Sequence, residues 1–553
     1  MIQEERFVKA INYNRAYFFL STVHMFIIII SERSSWQTLT GDLTKISKML
    51  QFYIIYAVLF FSSACFLIKW FFFSSTSHNN LPPSPPKLPI LGNIHQLGLY
   101  PHRSLQSLAQ RYGALMLLHF GRVSVLIISS ADAAREITKT YDLIFSNRPK
   151  SMIADKLLYD GKDVSLAPYG EYWRQIRSLC VLQLLSNSRV QSFKTVREEE
   201  ISLFIKKIES FASLSIPVNL SEMFSLLTND VVCRAAFGRK YSEGEGGRKF
   251  KELLGEFTQL LGGFNIGDFI PWLRWVNYFN GVDAKVKKVA KEFDEFLDKV
   301  VEEHLHGLER EIKNHGSEDG KDFVDVLLEV QKDNKDDFSF DKVTIKALIL
   351  DAFAAGTDTT YTVMEWAMAE LLRHPRVMKE LQNEVRLIAN GKEKIKEEDL
   401  DNMYYLKAVL KETLRLHPPI PLLVPRESTQ DVKIKGYNIS AGTMVITNAW
   451  AIGRDPASWD KPDDFSPERF LNNSIDFKGH DFQLIPFGAG RRGCPGTLFA
   501  MVTNEIVLAN LVHKFDWSLP VGTKPEDLNM TEFTGLTAHR MVPLHAVATP
   551  TFY

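Results

Sequence analysis

A single cysteine set in a glycine-rich turn constrains this chain more than any other feature. The run Pro486-Phe487-Gly488-Ala489-Gly490-Arg491-Arg492-Gly493-Cys494-Pro495-Gly496 removes side-chain bulk at Gly488, Gly490, Gly493 and Gly496 and admits backbone dihedrals that other residues avoid. Two consecutive arginines stand within three residues of Cys494, and their charge favours its thiolate. A flat cofactor can lie close to such a loop. The plain alternative is an inert cysteine in a turn, since free cysteines usually behave as small hydrophobes. Cys65, Cys180 and Cys233 are the other cysteines, and they leave no disulfide framework, which suits a reducing compartment.

Other segments carry chemistry in a fixed order. Glu412 and Arg415, in Lys411-Glu412-Thr413-Leu414-Arg415, are three apart on a predicted helix and share a face. Taken alone they read as a weak solvated pair. The helix stops at His417-Pro418-Pro419, and Pro467-Glu468-Arg469-Phe470 comes downstream. Upstream, Ala355-Gly356-Thr357-Asp358-Thr359-Thr360 falls inside a helix read over about 340–372. Thr and Asp compete for backbone hydrogen bonds and Gly weakens the ladder, so a local distortion is expected there; the alternative is an ordinary polar stretch. Trp173 and Arg177, in Trp173-Arg174-Gln175-Ile176-Arg177, are four apart on a helix. An indole N–H and a guanidinium so placed can reach one anion, whereas core packing is the alternative for the tryptophan.

The spacing of Phe487, Gly490, Arg492, Cys494 and Gly496 resembles the haem-binding loop of the cytochromes P450. Glu412-x-x-Arg415, Pro467-Glu468-Arg469-Phe470 and Ala355-Gly356-x-Asp358-Thr359-Thr360 match further motifs of that family in the same order. Leu81-Pro82-Pro83-Ser84-Pro85-Pro86, Pro168-Tyr169-Gly170-Glu171-Tyr172-Trp173-Arg174 and Asn448-Ala449-Trp450 narrow the likeness to plant microsomal members of family 71. The resemblance implies a mainly α fold with small β-sheets, preceded by an N-terminal transmembrane helix. It implies haem b with Cys494 as the axial thiolate on iron, pushing electron density that favours O–O cleavage. Phe487 and Gly488 would flank the haem, and Trp173, Arg177, Arg426 and Arg492 would meet its propionates. Glu412, Arg415 and Arg469 would form a buried network behind the loop, with a structural role. Thr359 would contact dioxygen or a water beside it, and Asp358 would relay protons from solvent. Substrate would meet Ala352, Ala355, Ile420, Leu422, Leu423, Phe533 and Leu536, although core packing is an equal alternative for each.

The resemblance also implies the activity, that of a haem-thiolate monooxygenase acting on a lipophilic plant specialised metabolite of terpenoid, coumarin or phenolic, or alkaloid-like type. The chain has no flavin or nicotinamide motif, so electrons are expected from NADPH–cytochrome P450 reductase, with cytochrome b5 as a further partner. A haem-thiolate dehydratase or isomerase working without dioxygen is the rival enzyme class, and a haem sensor or carrier the non-enzymatic one. Asp358 and Thr359 speak against both. A net charge of −1 over 553 residues makes nucleic acid an unsuitable partner.

The chain is 45% hydrophobic, and one large catalytic domain is expected over 90–553. Residues 51–73 carry no charge before Lys69. At about 1.5 Å per residue such a helix covers roughly 30 Å, enough for a bilayer, so 49–73 is read as an anchor. Residues 74–89 form a polar and then proline-rich linker that cannot be helical. Residues 1–48 are either a native extension or lie upstream of a start at Met49, and the second is expected. By resemblance the catalytic domain faces the cytosol on a single-pass anchor in the endoplasmic reticulum. Strands are expected over 114–120 and 123–128 around Gly121-Arg122, with Ser130 capping the next helix. Residues 432–439 and 444–447 read as a second strand group, 191–427 as mainly helical including 284–313, and 316–320 as a loop.

Overall fold

The structure is a computed structural model and describes residues 43–72, 80–241, 244–311, 320–333 and 340–551. Two units divide the chain, Met1–Asn79 and Asn80–Tyr553. Expectations for residues 1–42, for 73–79 and for the loop at 316–319 lie outside the described residues. In the first unit the helix Leu43–Phe72 begins earlier than the sequence suggests, and Phe52, Ile54, Val58, Leu59 and Phe61 are all exposed on it. Among the described residues no helix is long and apolar enough to cross a membrane.

The second unit takes in the proline-rich stretch, which is not a free spacer from Asn80 onward. Pro82 and Pro85 are buried, Leu117 N–H donates to Pro83 O at 2.9 Å, and the Asn93 side chain donates to Pro85 O and Pro86 O at 3.4 and 3.3 Å. An extended proline segment has no internal hydrogen bonds, so its carbonyls are open to partners from the body of the domain.

Strand β1 (Leu115–Phe120) pairs antiparallel with β2 (Val123–Ile128) about the expected turn, and Ser130 Oγ caps the helix after it. Strands β3 (Val218–Asn219), β4 (Arg426–Glu427), β5 (Val432–Ile434), β6 (Tyr437–Ile439), β7 (Met444–Thr447), β8 (Phe515–Ser518) and β9 (His545–Pro550) come later in the chain. The second strand group read from the sequence is split. β5 and β6 form their own hairpin, while β7 runs parallel to β2 in a sheet of order β1-β2-β7-β4. Val125, Leu126, Ile127 and Ile128 are fully buried, so β2 needs a partner on its second edge, and β7 supplies it. A third sheet, β3-β9-β8, gathers short segments far apart in sequence.

Helices dominate the rest, including Glu171–Leu179, Lys194–Ser213, Leu220–Phe237, Gly244–Gly262, Val282–Glu311, Pro375–Ala389, Tyr404–Leu416 and Thr497–Lys514. The central one, Lys342–Arg373, packs along Leu220–Phe237 and is buried on most sides from Thr344 to Leu372. It is continuous through Gly356 and Thr360, so the expected interruption is absent. Thr359 Oγ1 donates to Ala355 O at 2.7 Å and Thr362 Oγ1 to Asp358 O at 2.8 Å. The hydroxyls share carbonyls already in the ladder instead of displacing it.

Candidate active site

The cysteine loop is held by its own backbone. Cys494 N–H donates to Phe487 O at 2.9 Å and Gly493 N–H to Gly490 O at 3.0 Å. Gly490 has φ of 67°, and a Cβ there would lie 2.2 Å from Thr138 O, so only glycine lets the loop seat against the turn Glu136–Thr140. Phe487 is half-buried and meets Phe477 edge to face at 5.5 Å. The Cys494 residue is exposed by surface area, yet loss of solvation is the largest influence on its thiol. Both hold for a residue that is open to its surface while protein atoms surround its sulfur. That desolvation raises the thiol pKa, and the Gly496 N–H, the Arg177 charge and the Thr497 hydroxyl oppose it in that order. The expected help from Arg491 and Arg492 is not what the structure shows. Arg491 turns to Asp142, with Nε 3.4 Å from Oδ2, and Arg492 donates to Ser146 O at 2.7 Å and Ala167 O at 2.5 Å.

Buried arginines crowd behind this loop. Arg177 donates to Gly493 O at 2.6 Å, and Arg426 to Ala489 O at 2.6 Å. Arg148 donates to Val424 O and Pro425 O, both at 2.7 Å, and to Ser165 O at 2.9 Å. Burial lowers the pKa of all four, Arg148, Arg177, Arg426 and Arg492; Arg492 falls to about 9, with Arg426 the next cause. Guanidinium groups keep their protons in proteins, so the lowering marks charge held away from water, with like-charge crowding added at Arg148 and Arg492, and a buried anion would relieve both. Asp142 serves both Arg426 and Arg491, and Asp163 has its own pKa raised by burial, so carboxylates cover only part of the charge. The donor set therefore fits a haem, whose two propionates bring negative charge to guanidinium forks beside a cysteine sulfur.

One expected pairing does not form. Trp173 Nε1–H donates to Val164 O at 3.0 Å, while Arg177 reaches Gly493 O, so the two do not meet one acceptor. Trp173 instead packs under Arg492, whose guanidinium lies 4.1 Å from the ring centre. Arg148 has no counterpart in the sequence reading. A lone arginine before a proline, in Ser146-Asn147-Arg148-Pro149, lacks any periodicity to flag it.

The Glu412 network is brought together as a unit. Arg415 Nε and Nη2 donate to Glu412 Oε2 and Oε1 at 2.6 and 2.8 Å, and Arg469 Nε donates to Glu412 Oε1 at 3.0 Å. Ser466 N–H adds the carboxylate's fourth bond, its third on Oε1, at 2.8 Å, and both Glu412 and Arg415 side chains are fully buried. On the central helix, Asp358 receives the Thr537 hydroxyl on Oδ2. Burial raises the Asp358 pKa, and Thr537, His539 and Tyr361 oppose the rise.

The model of the family described as Cytochrome P450 matches residues 82–542. The chain belongs to that family. Cytochrome P450 736A117 of Prunus mume is 64% identical over 475 residues, covering 85% of this chain and 90% of that one. Cytochrome P450 71A4 of Solanum melongena is 57% identical, covering 85% and 92%, and norfluorocurarine oxidase of Strychnos sp is 54% identical, covering 87% and 94%. A solved zebra fish cytochrome P450 with abiraterone shares the fold at a TM-score of 0.69 and 24% identity, over 82% of this chain and 100% of that chain. The protein is thus a plant P450 of the family 71 type, a haem monooxygenase with haem b as its cofactor.

In this P450 the expected substrate contacts fall into two sets. Ala355 is exposed in mid-helix, and Ala352 and Ile420 are half-buried. Leu423, at φ of 52°, lies against the cysteine loop, since a Cβ on Gly488 would come 4.0 Å from its Cδ1. Phe533 is exposed and stacks on His539 at 4.6 Å. Leu422, by contrast, packs on the sheet cluster of Met116, Leu118 and Ile127, and Leu536 lies against Gly262.

Proposed function

We propose that this P450 oxidises a lipophilic plant specialised metabolite, of terpenoid, coumarin or phenolic, or alkaloid-like type, with electrons from NADPH–cytochrome P450 reductase. The carrying observation is Ala355, a small side chain exposed in the middle of a largely buried helix, among the half-buried Ala352, Ala354 and Thr359, with Leu423 against the cysteine loop. No charge lines that set, which favours an apolar ligand. The name norfluorocurarine oxidase, borne by a relative at 54% identity, supports the alkaloid-like class.

Haem b, bound through the Cys494 thiolate, would supply dioxygen activation and insertion of one oxygen atom into the substrate. Arg148, Arg177, Arg426 and Arg492 would hold its propionates, and Phe487 and Gly488 would border it. Asp358 would take protons from solvent and pass them to the Thr359 hydroxyl, which now donates to Ala355 O and can exchange that partner. Burial raises the Asp358 pKa, which suits a carboxyl that holds a proton before passing it on. Glu412, Arg415 and Arg469 would only keep the loop in place.

Residues 49–73 would anchor the chain in the endoplasmic reticulum by a single pass, with the catalytic domain in the cytosol beside its reductase. The exposed apolar side chains from Phe52 to Phe66 support this reading. Cytochrome b5 would be a second electron donor.

The test is a screen of terpenoids, coumarins, phenolics and alkaloids for ligand-induced changes in the haem spectrum, and then turnover with reductase. The proposal expects product formation that needs both NADPH and dioxygen. Turnover that persists without them would contradict it and support a dehydratase or isomerase.

A further inference from the structure

The C-terminal loop reaches the central helix at the carboxyl assigned to proton delivery. Residues 531–541 double back through the Glu532–Arg540 bridge, with Phe533 N–H donating to His539 O at 2.7 Å and Met541 N–H to Thr531 O at 2.9 Å. The stem is fastened to the central helix. Trp366 Nε1–H donates to Ala538 O at 2.8 Å, and Arg540 N–H donates to Glu365 Oε2 at 2.9 Å. Ala538 N–H adds a tie to Pro419 O at 2.8 Å. Thr537 sits beside these anchors, 4% exposed, and its hydroxyl donates to Asp358 Oδ2.

The tip of the loop is different. Phe533, Thr534 and Gly535 are exposed, and Phe533 rests on the His539 ring. Gly262, the last residue of Gly244–Gly262, comes so near that a Cβ on it would lie 2.1 Å from Leu536 N. The residue before Thr537 is therefore in backbone contact with a second helix. Any shift of that helix end, or of Phe533 under a ligand, is delivered next door to the hydroxyl that holds Asp358. A carboxyl has two oxygens, and a donor fixed on one leaves the other to gain and lose a proton, with the Tyr361 hydroxyl and the His539 ring as its further polar neighbours.

We propose that Thr537 is a positioning residue for proton delivery: from the C-terminal loop it holds one Asp358 oxygen, leaves the other for proton exchange toward Thr359, and loosens its hold when the loop tip at Leu536 is displaced. This rests on the roles given to Asp358 and Thr359 under the proposed function. Only a proton moves, arriving at and leaving from the carboxyl, and Thr537 keeps its own.

The experiment uses the full chain with haem and reductase, and needs no substrate. Asp358→Asn, Thr537→Val, Thr537→Ser, the double variant Asp358→Asn with Thr537→Val, and Gly262→Ala are compared. One readout is hydrogen peroxide against water formed per NADPH oxidised. The other is the Asp358 carbonyl stretch in the infrared spectrum of the resting enzyme, identified by its loss in Asp358→Asn. Thr537→Val should raise the peroxide-to-water ratio roughly fivefold, the rate equivalent of one ordinary hydrogen bond, and move the carbonyl band to higher frequency. Thr537→Ser should restore both, and Thr537→Val should add nothing once Asp358 is Asn. Gly262→Ala, which pushes on Leu536 and leaves Thr537 intact, should shift both readouts in the same direction. It serves as the independent route should Thr537→Val fail to take up haem. If Asp358→Asn raises the peroxide ratio while either readout stays put in Thr537→Val, or in Gly262→Ala should the valine variant be lost, this proposal is overturned and the role of Asp358 stands. An unchanged ratio in Asp358→Asn overturns that role itself.

Discussion

Thr359 and Glu412 show how differently two site residues respond to loss. The Thr359 hydroxyl donates a hydrogen bond to Ala355 O, a carbonyl already served by the helix, and the side chain is only half-buried. Thr359→Ala should therefore cost less than about 1 kcal/mol of stability and leave haem content normal, since surface-like changes away from core features are mild. Its effect should appear as more NADPH and more peroxide per product. Glu412 accepts from Arg415, Arg469 and Ser466 with no exposure to solvent. Its removal leaves the Arg415 and Arg469 guanidiniums with backbone carbonyls but without their carboxylate, at a cost of roughly 3–5 kcal/mol. Haem per chain should fall sharply in Glu412→Ala, and a normally loaded variant would refute the network's structural role. Helical spacing made Glu412 and Arg415 legible as a pair in the sequence. The Trp173 acceptor was not, because Val164 O arrives from a loop whose path no local spacing encodes.

Elements were legible where one period ruled. The β1–β2 hairpin is two short apolar runs flanking a glycine turn, and the central helix keeps to a long apolar pattern, so both lie where the residues suggest. The parallel β2–β7 pairing joins segments more than 300 residues apart and rests on burial alone, which local pattern cannot reveal. On the helix Thr497–Lys514 one residue makes a pH-dependent prediction. Glu505 is pushed up from 4.5 to about 7, first by burial and then by the charges of Asp401 and Asp476, against Lys407. A carboxyl raised on folding binds its proton more tightly in the native state, so the stability it lends is full below about pH 4.5 and is lost as pH rises to about 7. Because the side chain is only half-buried, that loss is about 1–2 kcal/mol. Glu505→Gln should melt like the parent in acid and higher than the parent above neutrality. Parallel melting curves for the two proteins across the whole range would count against this account.

For the molecule as a whole, the boundary at Asn79 and Asn80 separates two questions, attachment and catalysis. Deleting 1–48 should leave microsomal attachment and activity intact, whereas deleting 1–79 should greatly reduce attachment. If the domain faces the cytosol as proposed, Asn219, Asn472 and Asn529 should carry no sugar despite their Asn-x-Ser/Thr setting, even in a eukaryotic host. A glycan on any of them, found by endoglycosidase treatment, would place the domain in the lumen. The fold class was legible because five separated motifs fall in one order, and the proline stretch was misjudged because its partners, Leu117 and Asn93, lie in the body of the domain. The decisive measurement is the absorption spectrum of the reduced, carbon-monoxide-bound full chain beside that of Cys494→Ala, which removes the sulfur without adding bulk. The parent should show the red-shifted band of thiolate ligation and the variant should lose it; a variant that kept the band would show that Cys494 is not the iron's ligand.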